Sequence, residues 1–335
     1  MKKYIILFFI NIYKVYTLSN NFFNHWTCIG IKDNIDFTKP YKINIGELPL
    51  VLWKDKNDNL ITTLNICKHM GSRLDNADIT DEGCLKCKYH GLEISYEDRF
   101  GNTIEHEGKI FWAKSPIHKK PYSTPFYNKD TYEKSYIEID MECSLTDSAF
   151  NTMDLRHPEY VHNTIFGFGS NNPPQNIKQY KYKDRVGLAF EYKSNKLMQS
   201  LNDNILVTNN YHMYIYPTFT WSKVTFKEKD LIISVNFLPL ENKKTRWYVT
   251  ICHNYYRSSI EKEFMKLLAT TILKQDFIQM KNQYEDNPLK KEVLFTHTFK
   301  DEEVILWLND IFKKYKYPDM KSVLQLWRDD KNNKK

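Results

Sequence analysis

From Trp26 to about Ile139 the apolar residues fall in short runs broken by Asp, Asn, Gly and Pro, the pattern of an all-β segment. In LPLVLWKDKNDNLITTLNI two such runs flank Asp55 to Asn59, which read as a hairpin turn. A second region opens near Tyr136 with a helical pattern over Ser144 to His157 and a glycine-rich GFGS at 167–170. It returns to strand-like runs in GLAFEYKS, HMYIYPTFTW, DLIISVNFLPL and TRWYVTICHNYY. Helical periodicity then runs from about Ser259 to Tyr284, and more briefly from about Glu302 to Tyr315. At the start, Lys2 and Lys3 precede an apolar stretch, Tyr4 to Ile10, too short to span a bilayer and interrupted by Asn11 and Lys14. Residues 1–22 therefore read as a targeting or membrane-associating leader, with a small-residue exit at Thr17 to Ser19.

Composition narrows this picture in three ways. At about 150 residues per domain, 335 residues suggest two domains, with 41% hydrophobic and 15% aromatic residues to bury in their cores. Disordered, collagen-like and coiled-coil chains are excluded. The excess of 48 Lys and Arg over 41 Asp and Glu, a net +7, is spread thinly and points to an acidic partner or a membrane surface rather than to nucleic acid. Six Cys are too few for a disulfide framework, so clustering among them signals metal or redox chemistry. No glycine-rich nucleotide fingerprint follows any strand, so flavin and nicotinamide sites are not expected.

The Cys do cluster. ICKHMGSRLDNADITDEGCLKCKYHGLEIS holds Cys67-x-His69 and, seventeen residues on, Cys87-x-x-His90; Gly71 and Gly91 close the two loops. Two Cys and two His suit a tetrahedral zinc or a [2Fe–2S] cluster with two His on one iron. Zinc modules usually pair Cys with Cys and His with His. Here each loop gives one of each, which suits two chemically different irons. Cys84, in Cys84-x-x-Cys87, leaves a zinc ribbon of Cys67, His69, Cys84 and Cys87 as the alternative.

A second constellation lies in FNTMDLRHPEYVHNTIFGFG. On a helix Asn151, Asp154 and His157 share a face, and Pro158 breaks the pattern so that His162 turns back towards His157. Further on, Leu268, Ile272, Asp276 and Met280 follow a helical step, placing Asp276 on an apolar stripe. A buried carboxylate needs compensation, from a metal, an Arg or a helix N-terminus. Two His and one carboxylate with open positions would be the facial triad of non-haem Fe(II) oxygenases.

The first constellation resembles a Rieske iron–sulfur domain. Ser72 and Tyr89 stand where the respiratory type has an extra Cys in each loop, so the resemblance is to the oxygenase or ferredoxin type. With the second constellation it extends to the catalytic α subunits of Rieske non-haem iron oxygenases, whose N-x-x-D-x-x-H-x₄-H and downstream helical Asp match Asn151, Asp154, His157, His162 and Asp276. Glu285 and Asp286 are alternatives to Asp276. The pheophorbide and chlorophyllide oxygenase and vanillate demethylase-like branch is the most similar in layout.

The resemblance implies an α+β chain: a leader over 1–22, an all-β Rieske domain over 23–135 and a helix-grip, START-like catalytic domain over 136–335 with a long C-terminal helix. It implies a [2Fe–2S] cluster on Cys67, His69, Cys87 and His90, and a mononuclear Fe(II) on His157, His162 and Asp276. It further implies oxygen insertion from O₂ into a hydrophobic, ring-containing substrate, as a mono- or dioxygenase. Electrons would come from a ferredoxin or reductase. Asp154 would link His157 to a cluster-ligating His of a neighbouring subunit in a homotrimer, with Asn151 beside it. The expected pocket wall includes Phe166, Phe168, Tyr214, Tyr216, Phe219, Trp221 and Phe237. Cys28, Cys84, Cys143 and Cys252 are expected to be free thiols. The competing readings are an electron-transfer protein without catalytic iron and a zinc-ribbon interaction protein. An organelle or membrane address is expected from the leader, otherwise the cytoplasm.

Overall fold

The computed structural model describes residues 22–162, 165, 174–193, 207–241, 243–283, 289–290, 294, 299, 302–314, 323–326, 328 and 330. The leader, the GFGS loop, Phe166, Phe168, Glu285 and Asp286 lie outside them. The chain divides into two compact units: Met1–Pro121 with Leu240–Asn242 and Lys313–Lys335, and Tyr122–Pro239 with Lys243–Phe312. The division falls ahead of the 135/136 boundary expected from the sequence. Residues before 135 join the second unit because Tyr132, Phe126 and Tyr127 pack on Ile232 and Cys252 of its sheet.

The first unit holds three three-stranded antiparallel sheets. In the first, β1 (Thr27–Ile31) pairs with β9 (Lys109–Ala113), which pairs with β8 (Asn102–His106). The second runs β2 (Tyr41–Ile45), β3 (Leu48–Lys54), β4 (Leu60–Leu64). The third is made of β5 (Asp78–Ile79), β6 (Leu85–Lys86) and β7 (Glu93–Ile94). The β3–β4 hairpin forms where the sequence predicts it, because Asp55 Oδ1 takes the N–H of both Asn57 and Asn59 while Asp58 adopts φ 62°. Val51, Trp53, Ile61, Leu74, Leu85 and Ile94 make one buried cluster with Cys67 and Cys87 at its edge. Thus buried apolar side chains from β3, β4, β6 and β7, with Leu74, pack beneath the two Cys/His loops.

The second unit is built on a seven-stranded antiparallel sheet. Its strands are β10 (Glu133–Met141), β11 (Gln175–Lys181), β12 (Arg185–Lys193), β13 (Val207–Ile215), β14 (Phe219–Phe226), β15 (Lys229–Pro239) and β16 (Thr245–His253), in the spatial order 10-16-15-14-13-12-11. Helices α1 (Leu145–Met153), α2 (His157–Tyr160), α3 (Ser259–Lys281) and α4 (Glu303–Lys314) complete it. Ser258 and Glu261 form a capping box that starts α3, each side chain taking the other's backbone N–H. Met265, Leu273, Asp276 and Met280 are the buried positions of α3, a stripe at helical spacing. All-β sheets followed by a sheet with a long helix give the α+β class expected. No helix among the described residues is long and apolar enough to cross a membrane.

Candidate active site and cluster loops

The two Cys/His loops share one backbone pattern. Cys67 N–H donates to Ser72 O and receives, at its carbonyl, Gly71 N–H; Cys87 N–H donates to Leu92 O and receives Gly91 N–H. Each loop closes on a glycine in the left-handed region, Gly71 at φ 76° and Gly91 at φ 73°, where a side chain is strained even with space around it. Asn65 Oδ1 pins the first loop by accepting from Leu74 N and Asp75 N, both at 2.8 Å. Cys67 and Cys87 are buried while His69 and His90 are exposed, with ring centroids 4.7 Å apart. The backbone N–H of Tyr89, with Cys67, Ser72 and the N–H of His90, holds the Cys87 thiol below its usual pKa against the opposing effect of burial.

This donor set fits a [2Fe–2S] cluster: two buried sulfurs at the protein end, two imidazoles at the solvent end, amides aimed at sulfur. Among the described residues only His157, His162 and Asp276 bring three ligand atoms within 4.8 Å of one another. Burial and the charges of Glu93 and Glu82 push the Cys84 thiol pKa up, whereas that of Cys87 is held down.

The second site assembles from α1, α2 and α3. One expectation is corrected here: α1 ends at Met153, so Asp154 and His157 are not on its face. Asp154 ends it, with ψ 122°, and its Oδ1 takes the N–H of Arg156 and, at 3.4 Å, of His157. Pro158 then falls in the first turn of α2, where its missing N–H costs nothing, rather than acting as a breaker. The consequence is a tight reversal that brings His157 and His162 to ring centroids 5.3 Å apart.

Both rings turn Nε2 to the same oxygen. Asp276 Oδ1 lies 3.2 Å from His162 Nε2, 3.7 Å from His157 Nε2 and 3.2 Å from Asn151 Nδ2, which donates to it. Asp276 is only 5% exposed. His157 Nδ1 sits 3.1 Å from the Asp154 carbonyl and His162 Nδ1 sits 2.8 Å from Gln275 Oε1. With acceptors at both Nδ1 atoms, a neutral ring can keep its proton there and offer its Nε2 lone pair to a metal in place of the contact with Asp276. Three lone-pair donors converging on one point, with each imidazole held from behind, are what a divalent metal requires. Burial pushes the His157 pKa down and outweighs the attraction of Asp276 and Asp154. At His162 burial opposes the charged form too, but the hydrogen bond and charge of Asp276, with Gln275, win and raise its pKa.

A cavity of about 270 Å³ opens on this triad, bounded by Phe190, Tyr192, His212, Val235, Trp247 and Leu273 among others. Among the described residues, Tyr214, Tyr216, Phe219, Trp221 and Phe237, expected in its wall, do not line it. Tyr214 and Tyr216 pack on Phe312, and Phe237 on Tyr214 and Trp247. Phe219 and Trp221 belong to a cluster with Met213, Ile215 and Tyr122. Strand alternation names two faces without saying which is open. On the other side of Asn151, Asp154 and His157 lies an open groove of about 780 Å³.

Comparison with known proteins bears on both sites. Residues 25–109 match the model of the Rieske [2Fe–2S] domain. The first unit carries a Rieske domain. Pheophorbide a oxygenase, chloroplastic, from Oryza sativa subsp. japonica is 20% identical over 280 residues, 71% of this chain and 50% of that protein. Benzene 1,2-dioxygenase subunit alpha from Pseudomonas putida is 28% identical over 122 residues, 35% of this chain and 25% of that protein. The chain thus spans half or less of the length of these curated relatives. The crystal structure of dicamba monooxygenase bound to dicamba superposes with a TM-score of 0.73 at 15% identity, covering 87% of this chain and 97% of that one. A Rieske domain followed by an antiparallel-sheet domain is therefore the fold of Rieske oxygenase α subunits, and the chain has it. Within the Rieske domain, Cys67, His69, Cys87 and His90 all fall in the matched range.

Sequence reasoning missed Gln275 and His212. Gln275 carries a signal, being next to Asp276 on α3. His212 carries none, because it reaches the cavity from a strand far from either motif.

Proposed function

We propose that the protein is an O₂-dependent oxidoreductase of the Rieske oxygenase type. Cys67, His69, Cys87 and His90 would hold the [2Fe–2S] cluster, and His157, His162 and Asp276 the mononuclear iron. The observation that carries this reading is the convergence of both Nε2 atoms on buried Asp276 Oδ1 in a chain with a Rieske domain. When bound, the cluster supplies single electrons and the ferrous ion supplies open positions for O₂.

The chain's own residues do the rest. Asp276 brings negative charge to the site and Asn151 orients it by donating to Oδ1. The Asp154 carbonyl and Gln275 keep the imidazole protons at Nδ1, leaving Nε2 free to ligate. The walls from β12 to β16 shield a hydrophobic ring from water beside these groups. By the same reading Asp154 relays electrons from a neighbouring copy's cluster in a homotrimer. A separate ferredoxin or reductase feeds that cluster.

Anaerobically purified protein tests this through iron, zinc and sulfide analysis with electron paramagnetic resonance. The reading expects a brown protein with a reducible cluster and one further iron per chain. Cluster iron alone would favour an electron carrier. A colourless protein holding only zinc would sink both.

A further inference from the structure

We infer that the cavity beside the triad is sized for an apolar compound of two fused rings, and that Ala269 sets how long that compound can be. This rests on the reading of that cavity as the substrate site. The volume fixes the scale. An apolar cavity of about 150 Å³ takes up benzene, so the volume of about 270 Å³ here leaves room for a second fused ring and little more.

Helix α3 gives that room a direction. Ala269 stands about two turns, or about 10 Å, before Asp276 along the helix axis, and at that spacing the two share a face. Ile272 and Leu273 lie between them, one to either side, and all four residues line the cavity. The helix thus offers a trough that starts at the proposed metal ligand, is walled by two branched side chains and ends over a methyl group.

The facing walls are larger and held in place. Trp247 donates from Nε1 to Ser148 Oγ at 3.0 Å and packs edge-on against Phe237. The Phe190 ring lies 5.1 Å from that of His212 and 6.5 Å from that of Tyr192. Val224, Ile233, Val235 and Val249 are branched at Cβ and stiff at χ1. Among the described lining residues Ala269 has the smallest side chain, and it is half-buried rather than sealed in. A second ring therefore finds its room along α3, over Ala269. A larger side chain there would take that ring's place and leave the first ring's place, next to Asp276, untouched.

Equilibrium binding to the full chain, loaded with cluster and iron and kept anaerobic without reductant, tests this with naphthalene, read by its own fluorescence, and toluene, read by competition. Naphthalene should bind about tenfold tighter than toluene, since each added carbon finds an apolar wall. Ala269→Phe should weaken naphthalene about tenfold or more and retain toluene binding. Ala269→Leu, the smaller intrusion, should fall between and serves where the Phe variant does not fold. Equal weakening of both ligands would assign Ala269 a merely structural role, and undiminished naphthalene binding in both variants would place the second ring elsewhere. Either result overturns the proposal, as does wild-type protein that binds toluene as tightly as naphthalene or binds neither. Iron content is read in the same samples, so iron-loaded protein that does not select by ring number sinks this inference alone and not the oxygenase reading.

Discussion

The outcome at single residues turns on what holds a ligand from behind. Gln275 Oε1 fixes the proton of His162 at Nδ1, so Gln275→Leu should let the ring rotate and lower iron affinity about 10- to 100-fold, the usual effect of removing such a partner. Cluster absorbance should not change. Iron titration of the metal-depleted variant checks this, and wild-type affinity would show that Gln275 does not support the ligand. Asp276→Ala should lose the mononuclear iron and keep the cluster. The pairing of Cys67-x-His69 with Cys87-x-x-His90 was legible in the sequence because each loop is a local unit closed by its own glycine. His212 was not legible, since it reaches the cavity from β13, far in sequence from either motif, with Phe190 of β12 beside it.

Elements explain where the sequence reading succeeded and failed. On α3 the period rightly put Asp276 and Met280 on the buried stripe, but Leu268 and Ile272 are only half-buried and Met265 and Leu273 complete it instead; the capping box at Ser258 and Glu261 sets the helix start. The face shared by Asn151, Asp154 and His157 was misread, because Asp154 itself captures the next N–H groups and stops α1. A helix rule sees spacing but not a side chain competing with the backbone. The cluster loops yield a sharper test. At Gly71 no atom lies within 4 Å of an added Cβ, so only the φ of 76° opposes substitution. Gly71→Ala should cost about 1–2 kcal/mol in stability of the Rieske domain and Gly71→Asn less, since Asn tolerates the left-handed region. Chemical denaturation followed by cluster bleaching measures it. Equal stability of the three proteins would remove the backbone explanation for this glycine.

For the whole molecule, the two proposed metal sites belong to different compact units of one chain, with Cys67 and Cys87 in the first and the triad in the second. Each site should therefore be lost alone: Cys87→Ala removes the cluster and leaves the mononuclear iron, and Asp276→Ala does the reverse. On the proposed reading, electrons pass from one copy's cluster through a neighbour's Asp154 to that neighbour's His157. Two inactive variants then complement each other. In a mixed trimer, a Cys87→Ala chain can receive electrons from an adjacent Asp276→Ala chain, whose own iron site is empty. Co-expressing the two should restore substrate-dependent O₂ uptake to a fraction of the wild-type rate, while either variant alone stays inactive. Placing Asp154→Asn in the Cys87→Ala chain should abolish the rescue, because that chain holds the receiving iron. The same substitution in the Asp276→Ala chain should leave it intact, because that chain lends only its cluster. Rescue that ignores which chain carries Asp154→Asn would exclude the relay through this carboxylate, and no rescue in verified mixed oligomers would place the electron path within a single chain.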